Sequence, residues 1–225
     1  MNPAQPTFLK GGIILFDVET EQVTRLLPMM VNPSSMRRSF ESKRVDGGSA
    51  GMLAPLRLTG PAVESIDVEV QLDAADAILR GYAGVQQSGA DSAAAAEGVR
   101  PWIAAMQMLV TPTSTAIRSN DALQASGALE IIPMAQPLTL FVWGANNVLP
   151  VVITSLSVNE EMFDPRLIPV KAKVSLGMKS LSVDELGVST KAGAYYMAYL
   201  QAVERRAALV PDANPIELGS SGAVP

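Results

Sequence analysis

The sequence contains no cysteine and no histidine among its 225 residues. Without cysteine, the chain has no disulfide framework, no thiol nucleophile and no cysteine-based zinc site. Without histidine, it has no histidine general base, so the Ser-His-Asp and Cys-His catalytic arrangements are excluded within this chain. Carboxylates with a metal ion, or a lysine with a glutamate, are the catalytic options that remain. We assign no catalytic residue, metal ligand or cofactor site.

Long apolar runs are also missing. The longest apolar stretches, such as Gly11–Phe16 and Leu138–Gly144, fall far short of the roughly 18 residues that a membrane-spanning helix needs. The N-terminal residues 1–6 lack a basic region followed by an apolar one, so they do not resemble a signal peptide. These features predict a soluble protein that is made in the cytosol.

The chain has fewer basic than acidic residues. The chain has 17 basic and 22 acidic residues, and its formal net charge is −5. It therefore lacks the excess of basic residues that is typical of nucleic-acid-binding proteins. The one basic cluster consists of Arg37, Arg38, Lys43 and Arg44. Its neighbours Phe40, Glu41 and Asp46 show that the surroundings of this cluster are mixed, and no series of stacking aromatics interleaves with its basic residues as in a nucleic-acid site. The cluster therefore indicates a solvated or partner-facing strand.

Hydrophobic periodicity predicts strands in the first half of the chain. Between Val63 and Leu72, apolar and polar residues alternate, which is typical of a half-buried antiparallel strand with a solvated outer face. Gly12–Val18 and Thr24–Val31 are apolar enough for two further strands. Pro28 cannot donate to a strand ladder, so the second of these should be an edge strand or be interrupted there. Met36–Val45 follows as an extended, mostly polar segment.

The middle of the chain changes character. Asp73–Arg80 is a short helix candidate that Gly81 would end. Pro101–Leu109 is a second helix candidate, because proline fits the first turn of a helix. The Ala-, Gly- and Ser-rich stretch Gly84–Gly98 is interpreted as a loop or mobile insertion, and Thr111–Gly127 as a long loop.

The last third returns to strands and ends in a helix. Pro137–Gly144 is a strong strand, and a turn at residues 146–147 leads into Leu149–Val158. Alternation over Val170–Leu176 predicts one more strand. We expect an α+β fold, mainly antiparallel β, with one or two internal helices and a C-terminal helix. The expected division is a β domain over residues 1–185, a helix over 186–209 and a disordered tail over 210–225.

The C-terminal helix carries an apolar stripe. Ser189 or Thr190 can cap its N-terminus. Residues at three- and four-residue spacing form the stripe, namely Tyr196, Tyr199, Leu200, Val203 and Ala207. This stripe can pack on the chain's own sheet or dock on a neighbouring subunit, and the sequence leaves both open.

Six segments along the chain form a recognisable series. In chain order they are Val31-Asn32-Pro33, Ile66–Asp73, Pro137–Gly144, Val151–Val158, Phe163-Asp164 and Pro169–Ala172. Together they resemble the tube-like domain of baseplate proteins in contractile injection systems, the tube-initiator or spike-adaptor proteins of phage-tail-like particles. The resemblance spans roughly residues 10–180. The chain departs from the family pattern at Val31, where the family usually has an aromatic residue, and near Asp164-Pro165-Arg166, where it usually has a glycine. Two stretches, Gly84–Gly98 and Thr111–Gly127, are also enlarged. No LysM segment follows, so anchoring to peptidoglycan through this chain is not expected.

The resemblance implies packed antiparallel sheets, a hexameric ring, and no enzymatic activity. It implies a spike or hub protein, an inner tube protein and other baseplate proteins as partners, and assembly in the cytoplasm into a particle that is retained or released. It implies neither nucleic-acid binding nor direct membrane insertion. Our candidate interface residues are Arg37, Arg38, Phe40, Lys43, Arg44, Gly47, Gly48, Tyr196 and Tyr199.

Two other classes of function stay open at this point. One is a monomeric β-barrel that binds a small apolar ligand in a pocket lined by Trp143, Phe141 and Met106. The other is a hydrolase that uses carboxylates and a metal ion. Glu160 and Glu161 argue against the second, because neighbouring residues in a strand face opposite ways and would not converge on one substrate.

Overall fold

The computed structural model describes residues 9–17, 20, 22–44, 56–84, 89–125 and 136–211. This part of the chain forms seven strands and six helices. The strands are β1 (Gly12–Asp17), β2 (Gln22–Pro28), β3 (Met36–Glu41), β4 (Val63–Asp73), β5 (Leu138–Val142), β6 (Val148–Phe163) and β7 (Pro169–Ser180). The helices are α1 (Ala75–Tyr82), α2 (Gly89–Glu97), α3 (Arg100–Gln107), α4 (Ser114–Ala125), α5 (Val183–Leu186) and α6 (Lys191–Ala207). The predicted α+β class with a mainly antiparallel sheet is confirmed.

All seven strands belong to one antiparallel sheet, in the order β2-β1-β5-β6-β7-β4-β3. The long strand β6 divides this sheet into two layers. Its first residues, Val148–Val151, pair with β5, whereas the pairing with β7 begins at Val151 and runs to Phe163. We call β2, β1, β5 and the start of β6 the first layer, and β6, β7, β4 and β3 the second layer.

The two layers face each other across the main core. Met29 and Met36, at the two opposite edges of the sheet, lie beside Phe141 and Trp143 of the first layer, and all four line one cavity. The curling sheet therefore brings edge strands together that are six positions apart in the strand order. Apolar burial in this core is the main source of stability for such a pair of layers.

Strand β4 shows how the sequence sets the faces of the second layer. Every second residue from Glu64 to Leu72 is buried, and the residues between them are exposed. The predicted alternation is confirmed. The same alternation continues across β7, where Ala172, Val174 and Leu176 are buried.

Strand β2 forms one edge of the sheet and ends at Pro28. The prediction that this segment is an edge strand or is interrupted at Pro28 is confirmed, since proline has no backbone N–H for a further partner. Strand β3 forms the other edge. It is shorter than the predicted extended segment, since it ends at Glu41 and Arg44 makes only an isolated bridge to Leu58.

Two segments that we interpreted as loops contain helices. Gly84–Gly98 includes α2, and Thr111–Gly127 includes α4, so both interpretations are wrong. The alanine-rich composition of α2 supports helix formation by intrinsic propensity, even though its apolar pattern is weak. Thr113 caps α4 through its side-chain oxygen, which accepts from the N–H of Ala116 at 3.2 Å. Helix α1 also continues through Gly81 to Tyr82, where an end at Gly81 was expected.

Helix α6 begins at the predicted cap. Thr190 Oγ1 accepts a hydrogen bond from the N–H of Gly193 at 2.9 Å. Tyr196 and Tyr199 are buried in the main core, whereas Val203 and Ala207 face solvent. The stripe therefore packs on its own sheet at its start and leaves its end uncovered. None of the helices in the ranges given above is long and apolar enough to cross a membrane.

Candidate functional site

A groove lies between the edge strand β3 and helix α6. Arg38 and Phe40 of β3 form one wall, and Tyr196, Tyr199 and Val203 of α6 form the other. Its volume is about 570 Å³. We call it the β3–α6 groove. Alternation places Arg38 and Phe40 on the helix-facing side of β3, and the three- and four-residue spacing of the α6 residues places them on one face of the helix.

Three polar side chains meet at the base of this groove. Arg38 Nε donates to Glu64 Oε1 at 2.5 Å, and the hydroxyl of Tyr199 donates to Glu64 Oε2 at 3.0 Å. Arg38 Nη2 donates to the Tyr199 hydroxyl, which closes the cluster. The Glu64 side chain is only 5% exposed. A carboxylate this buried needs a cation and hydrogen bonds, and both are provided here.

The electrostatics of the cluster follow from these contacts. The hydrogen bond to Glu64 raises the pKa of Arg38 above its ordinary value, although partial burial opposes it. Burial, and then the negative charge of Glu64, raises the pKa of Tyr199 to about 12. Burial and the same charge also raise the pKa of Tyr196. Both phenols therefore stay protonated at neutral pH, and the Tyr199 hydroxyl remains a hydrogen-bond donor.

Arg38 also links the two layers of the sheet. Its guanidinium lies 5.1 Å from the centre of the Phe40 ring and 5.6 Å from that of Trp143. Such cation–π contacts contribute about 0.5–1 kcal/mol when exposed and more when water is excluded. Because Trp143 follows β5 and Phe40 lies in β3, the contact fixes the edge strand against the first layer.

The predicted interface residues do not all meet at this groove. Arg38, Phe40, Tyr196 and Tyr199 line it together. Lys43 lies elsewhere, where its Nζ is 2.7 Å from Asp184 Oδ2, and its contact there raises the pKa of the lysine.

The remaining candidates of the strand region are also separated from the groove. Arg37 pairs with Asp67 across the strands and shares the exposed outer face with it. Arg44 Nε donates to Ser42 Oγ at 3.1 Å. Gly47 and Gly48 lie outside the described residues. The interface role of all nine residues stays a prediction.

Sequence reasoning missed Glu64 and Arg206, which both line the groove. A signal for Glu64 was present, because it occupies the same alternating positions as the buried Ile66, Val68 and Val70. A carboxylate at such a position must have a partner inside the fold. No comparable pattern marked Arg206.

A second cavity of about 430 Å³ lies between the layers and is lined by Phe141 and Trp143 together with Met29 and Met36. Two of the three residues that we proposed for an apolar ligand pocket therefore do share a cavity. Met106, the third, is buried in the main core and does not line it. The seven strands form one curled sheet in the described ranges, and its edges β2 and β3 do not pair with each other.

The outer face of the second layer is broad and polar. The residues that point outward from it are Val152, Ser155, Ser157, Asn159 and Glu161 of β6, Lys171, Lys173, Ser175, Gly177 and Lys179 of β7, Ser65, Asp67, Glu69, Gln71 and Asp73 of β4, and Arg37, Ser39 and Glu41 of β3. Apart from Gly177, all are exposed or half-buried. Cations and anions alternate on it, as in the pairs Lys171–Asp73 at 2.9 Å and Lys173–Glu161 at 3.1 Å.

Comparisons with known proteins give only distant similarities. No family model and no curated protein sequence matches this chain. The chain is similar to one in a structure described as the tail of an empty gene transfer agent (GTA) particle computed with helical refinement and C6 symmetry, at 16% identity and a TM-score of 0.31. It is also similar to a chain in the virion of a native GTA particle, at 12% identity and a TM-score of 0.28. Each similarity covers 76% of this chain and 90% of the other.

Proposed function

We propose that this protein is a structural component of a phage-tail-like contractile injection system, in which it forms a ring that connects the spike to the inner tube. The observation that carries the proposal is the second layer of the sheet. This layer has one apolar face turned to the core, one broad polar face turned to solvent, and a strand edge available on each side.

The two edges of the second layer run in opposite directions. The layer has the order β6-β7-β4-β3, and each neighbouring pair is antiparallel. Strands β6 and β3 are therefore antiparallel to each other. Within the described residues, β6 from Val152 onward pairs only with β7, and β3 pairs only with β4. Exposed edges of this kind must be protected or used for assembly.

A ring uses both edges at once. If β3 of one copy pairs with the free part of β6 in the next, the antiparallel ladder continues from copy to copy and closes by rotation. Six such copies, with strands about 4.8 Å apart, would enclose a barrel roughly 40 Å across. The polar faces would line the channel, and the helices would lie outside. In this role the protein is not an enzyme and works through contacts with copies of itself, with a spike or hub protein and with an inner tube protein.

Electron microscopy tests the proposal directly. We expect the purified chain, mixed with the spike and inner tube proteins encoded beside its gene, to form rings at one end of a tube. A chain that stays monomeric and joins neither partner would refute the proposal. Failure of the chain to assemble alone is a weaker objection, since an adaptor ring can require a template.

Proline substitutions test the edge itself. Along an antiparallel edge strand, the N–H groups of adjacent residues point alternately to the partner strand and to solvent. Of the variants Ser39→Pro and Phe40→Pro, one therefore leaves the hydrogen bonds to β4 intact. If that variant is Phe40→Pro, the monomer should still lose about 0.5–1 kcal/mol, because the Arg38–Phe40 contact is removed. We expect the variant with these bonds intact to lose ring formation. The matched controls are Arg25→Pro and Leu26→Pro on β2, the edge that the proposed ring contact does not use. One of these two variants should keep the stability of the monomer, and it should still form rings.

The cavity beside Phe141 and Trp143 supports a second candidate function, binding of a small apolar ligand by a monomer. Its volume of about 430 Å³ falls in the range of small-molecule sites. This alternative predicts a monomer whose melting temperature rises when an apolar ligand is added. A ring at the end of a tube would favour the first proposal over it.

A further inference from the structure

Helix α4 has no residue buried in its own chain. All twelve of its residues, Ser114–Ala125, are exposed or half-buried, and Ile117 is 49% exposed. Isolated helices of this length are marginal in water, and most helices in proteins are stabilised by packing of one face. An exposed apolar side chain on a helix without a packed face is therefore a candidate contact between copies of the chain.

The surface of α4 has a simple chemical pattern. Ile117 and Asp121 are four residues apart, so they are neighbours on one face of the helix. Asp121 is exposed. This face therefore presents an apolar side chain beside a carboxylate.

The uncovered end of the β3–α6 groove has the complementary pattern. Val203 and Arg206 are three residues apart on α6 and both line the groove. Val203 is 37% exposed and Phe40, on the opposite wall, is 60% exposed. The groove thus offers an apolar slot beside a guanidinium group, and its volume of about 570 Å³ exceeds that of a single apolar side chain.

The segment that leads into α4 and the groove lie near opposite edges of the second layer. Leu109, shortly before α4, lines a cavity together with Val151, Val152 and Ile153, which is where β6 leaves its partner β5. The groove lies against β3, at the far edge of the second layer. Surfaces arranged in this way match head to tail between copies, which is the geometry of a closed ring.

We propose that α4 of one copy lies in the β3–α6 groove of the next copy, with Ile117 between Phe40 and Val203 and with Asp121 beside Arg206. The occupant of the groove is therefore a second copy of this chain, bound by a helix-in-groove contact. The inference rests on the proposed ring and names the contact on the helix side of its subunit interface.

Engineered cysteines test the contact, and the absence of native cysteine makes the result simple to interpret. We expect the full-length variants Ile117→Cys and Val203→Cys, mixed and mildly oxidised, to give a disulfide-linked dimer. A single chain that carries both Ile117→Cys and Val203→Cys should give a ladder of disulfide-linked oligomers up to the size of the closed ring. The matched control replaces Val203→Cys by Gln201→Cys, which lies on the same helix but lines a different cavity, and should give no link.

A charge exchange provides the second measurement. Asp121→Arg and Arg206→Asp should each weaken self-association about tenfold or more, and the double variant should restore it. Ile117→Asp should weaken it by a similar factor without changing the melting temperature of the monomer, because Ile117 is exposed there. Thr115→Asp, on another face of α4, should have no such effect.

The outcomes separate the two proposals. Rings that form without the Ile117–Val203 link and tolerate Ile117→Asp would overturn the α4 contact and leave the ring in place. A specific link in open chains that never close or join a tube would support the contact and count against the proposed function. Absence of both link and assembly, with the partner proteins present, would overturn both.

Discussion

Tyr199→Phe should lower the free energy of unfolding of the protein by an amount that depends on pH. The substitution removes one hydroxyl from the base of the β3–α6 groove and keeps the ring that packs in the core. In the native chain, that hydroxyl donates to Glu64 at 3.0 Å and accepts from Arg38. Hydrogen bonds to charged groups contribute about 1.5–3 kcal/mol. Because solvent still reaches Arg38, we expect the free energy of unfolding to fall by about 2 kcal/mol near pH 8.

The sign of the pH dependence follows from the phenol. Burial and the charge of Glu64 raise the pKa of Tyr199 to about 12, against an ordinary value of 10.0. The folded state binds this proton more tightly, so the contribution to stability is complete below pH 10.0 and is lost as the pH rises toward 12. Between pH 10.0 and about pH 11.5 the loss amounts to about 2 kcal/mol. The difference in the free energy of unfolding between the native chain and Tyr199→Phe should therefore shrink to near zero.

Urea unfolding followed by circular dichroism, from about pH 8 to about pH 11.5, measures this difference. The control is Tyr195→Phe, since the Tyr195 ring packs edge-on against Phe16 at 5.9 Å, away from Glu64. For the control, the difference from the native chain should stay constant across the range. A Tyr199→Phe difference that is also constant, or that grows with pH, would refute the reasoning about the cluster.

Three further predictions concern the fold. Gly98→Ala should lower the free energy of unfolding in urea by about 2–3 kcal/mol, because the φ of Gly98 is +62° and an added Cβ would lie 2.2 Å from the carbonyl oxygen of Pro169. The control Gly84→Ala, also at positive φ but with open space around it, should lower the free energy of unfolding by only about 1 kcal/mol. Thr190→Ala should lower the free energy of unfolding by about 1 kcal/mol, since it removes the cap of α6, and thermal unfolding with Thr190→Ser as the control measures this. Burial raises the pKa of Asp164, but hydrogen bonds from Ile168 and Arg166 outweigh burial and lower that pKa below its ordinary value. The Asp164 carboxylate should therefore stabilise the β6–β7 turn above about pH 4, and this stabilisation should be lost as the pH falls below that. Asp164→Asn should then speed hydrogen exchange at Ile168 near pH 7, and the difference between the two chains should shrink as the pH falls below about 4. Equal rates in the two chains at pH 7 would contradict this.

The strands could be predicted because their signals are local. The alternation in β4 and β7 identified the buried face of each strand, and Pro28 identified β2 as an edge. Helices α2 and α4 could not be predicted in the same way. Neither carries a strong apolar stripe, since α2 buries one alanine and α4 buries nothing. Periodicity reports burial, so it misses helices whose stability comes from propensity or from a partner.

The groove depended on the order of the strands, which no local pattern contains. Four of the nine predicted interface residues meet there, but they belong to two separate segments, and no local pattern indicates that these segments are neighbours. Arg38 and Tyr199 meet because β3 is the last strand of the sheet and α6 packs beside it. Glu64 joins them through the pairing of β4 with β3.

The absence of cysteine and histidine and the alternation of the strands were determined by the sequence alone, since composition and local pattern do not require a fold. They limited the chemistry of the protein and assigned an inner and an outer face to its strands. Only the tertiary structure brought Arg38, Glu64 and Tyr199 together, left the edges β3 and β6 antiparallel, and left α4 without cover. Those features arise from contacts between residues far apart in the chain, and such contacts exist only after the sheet has curled.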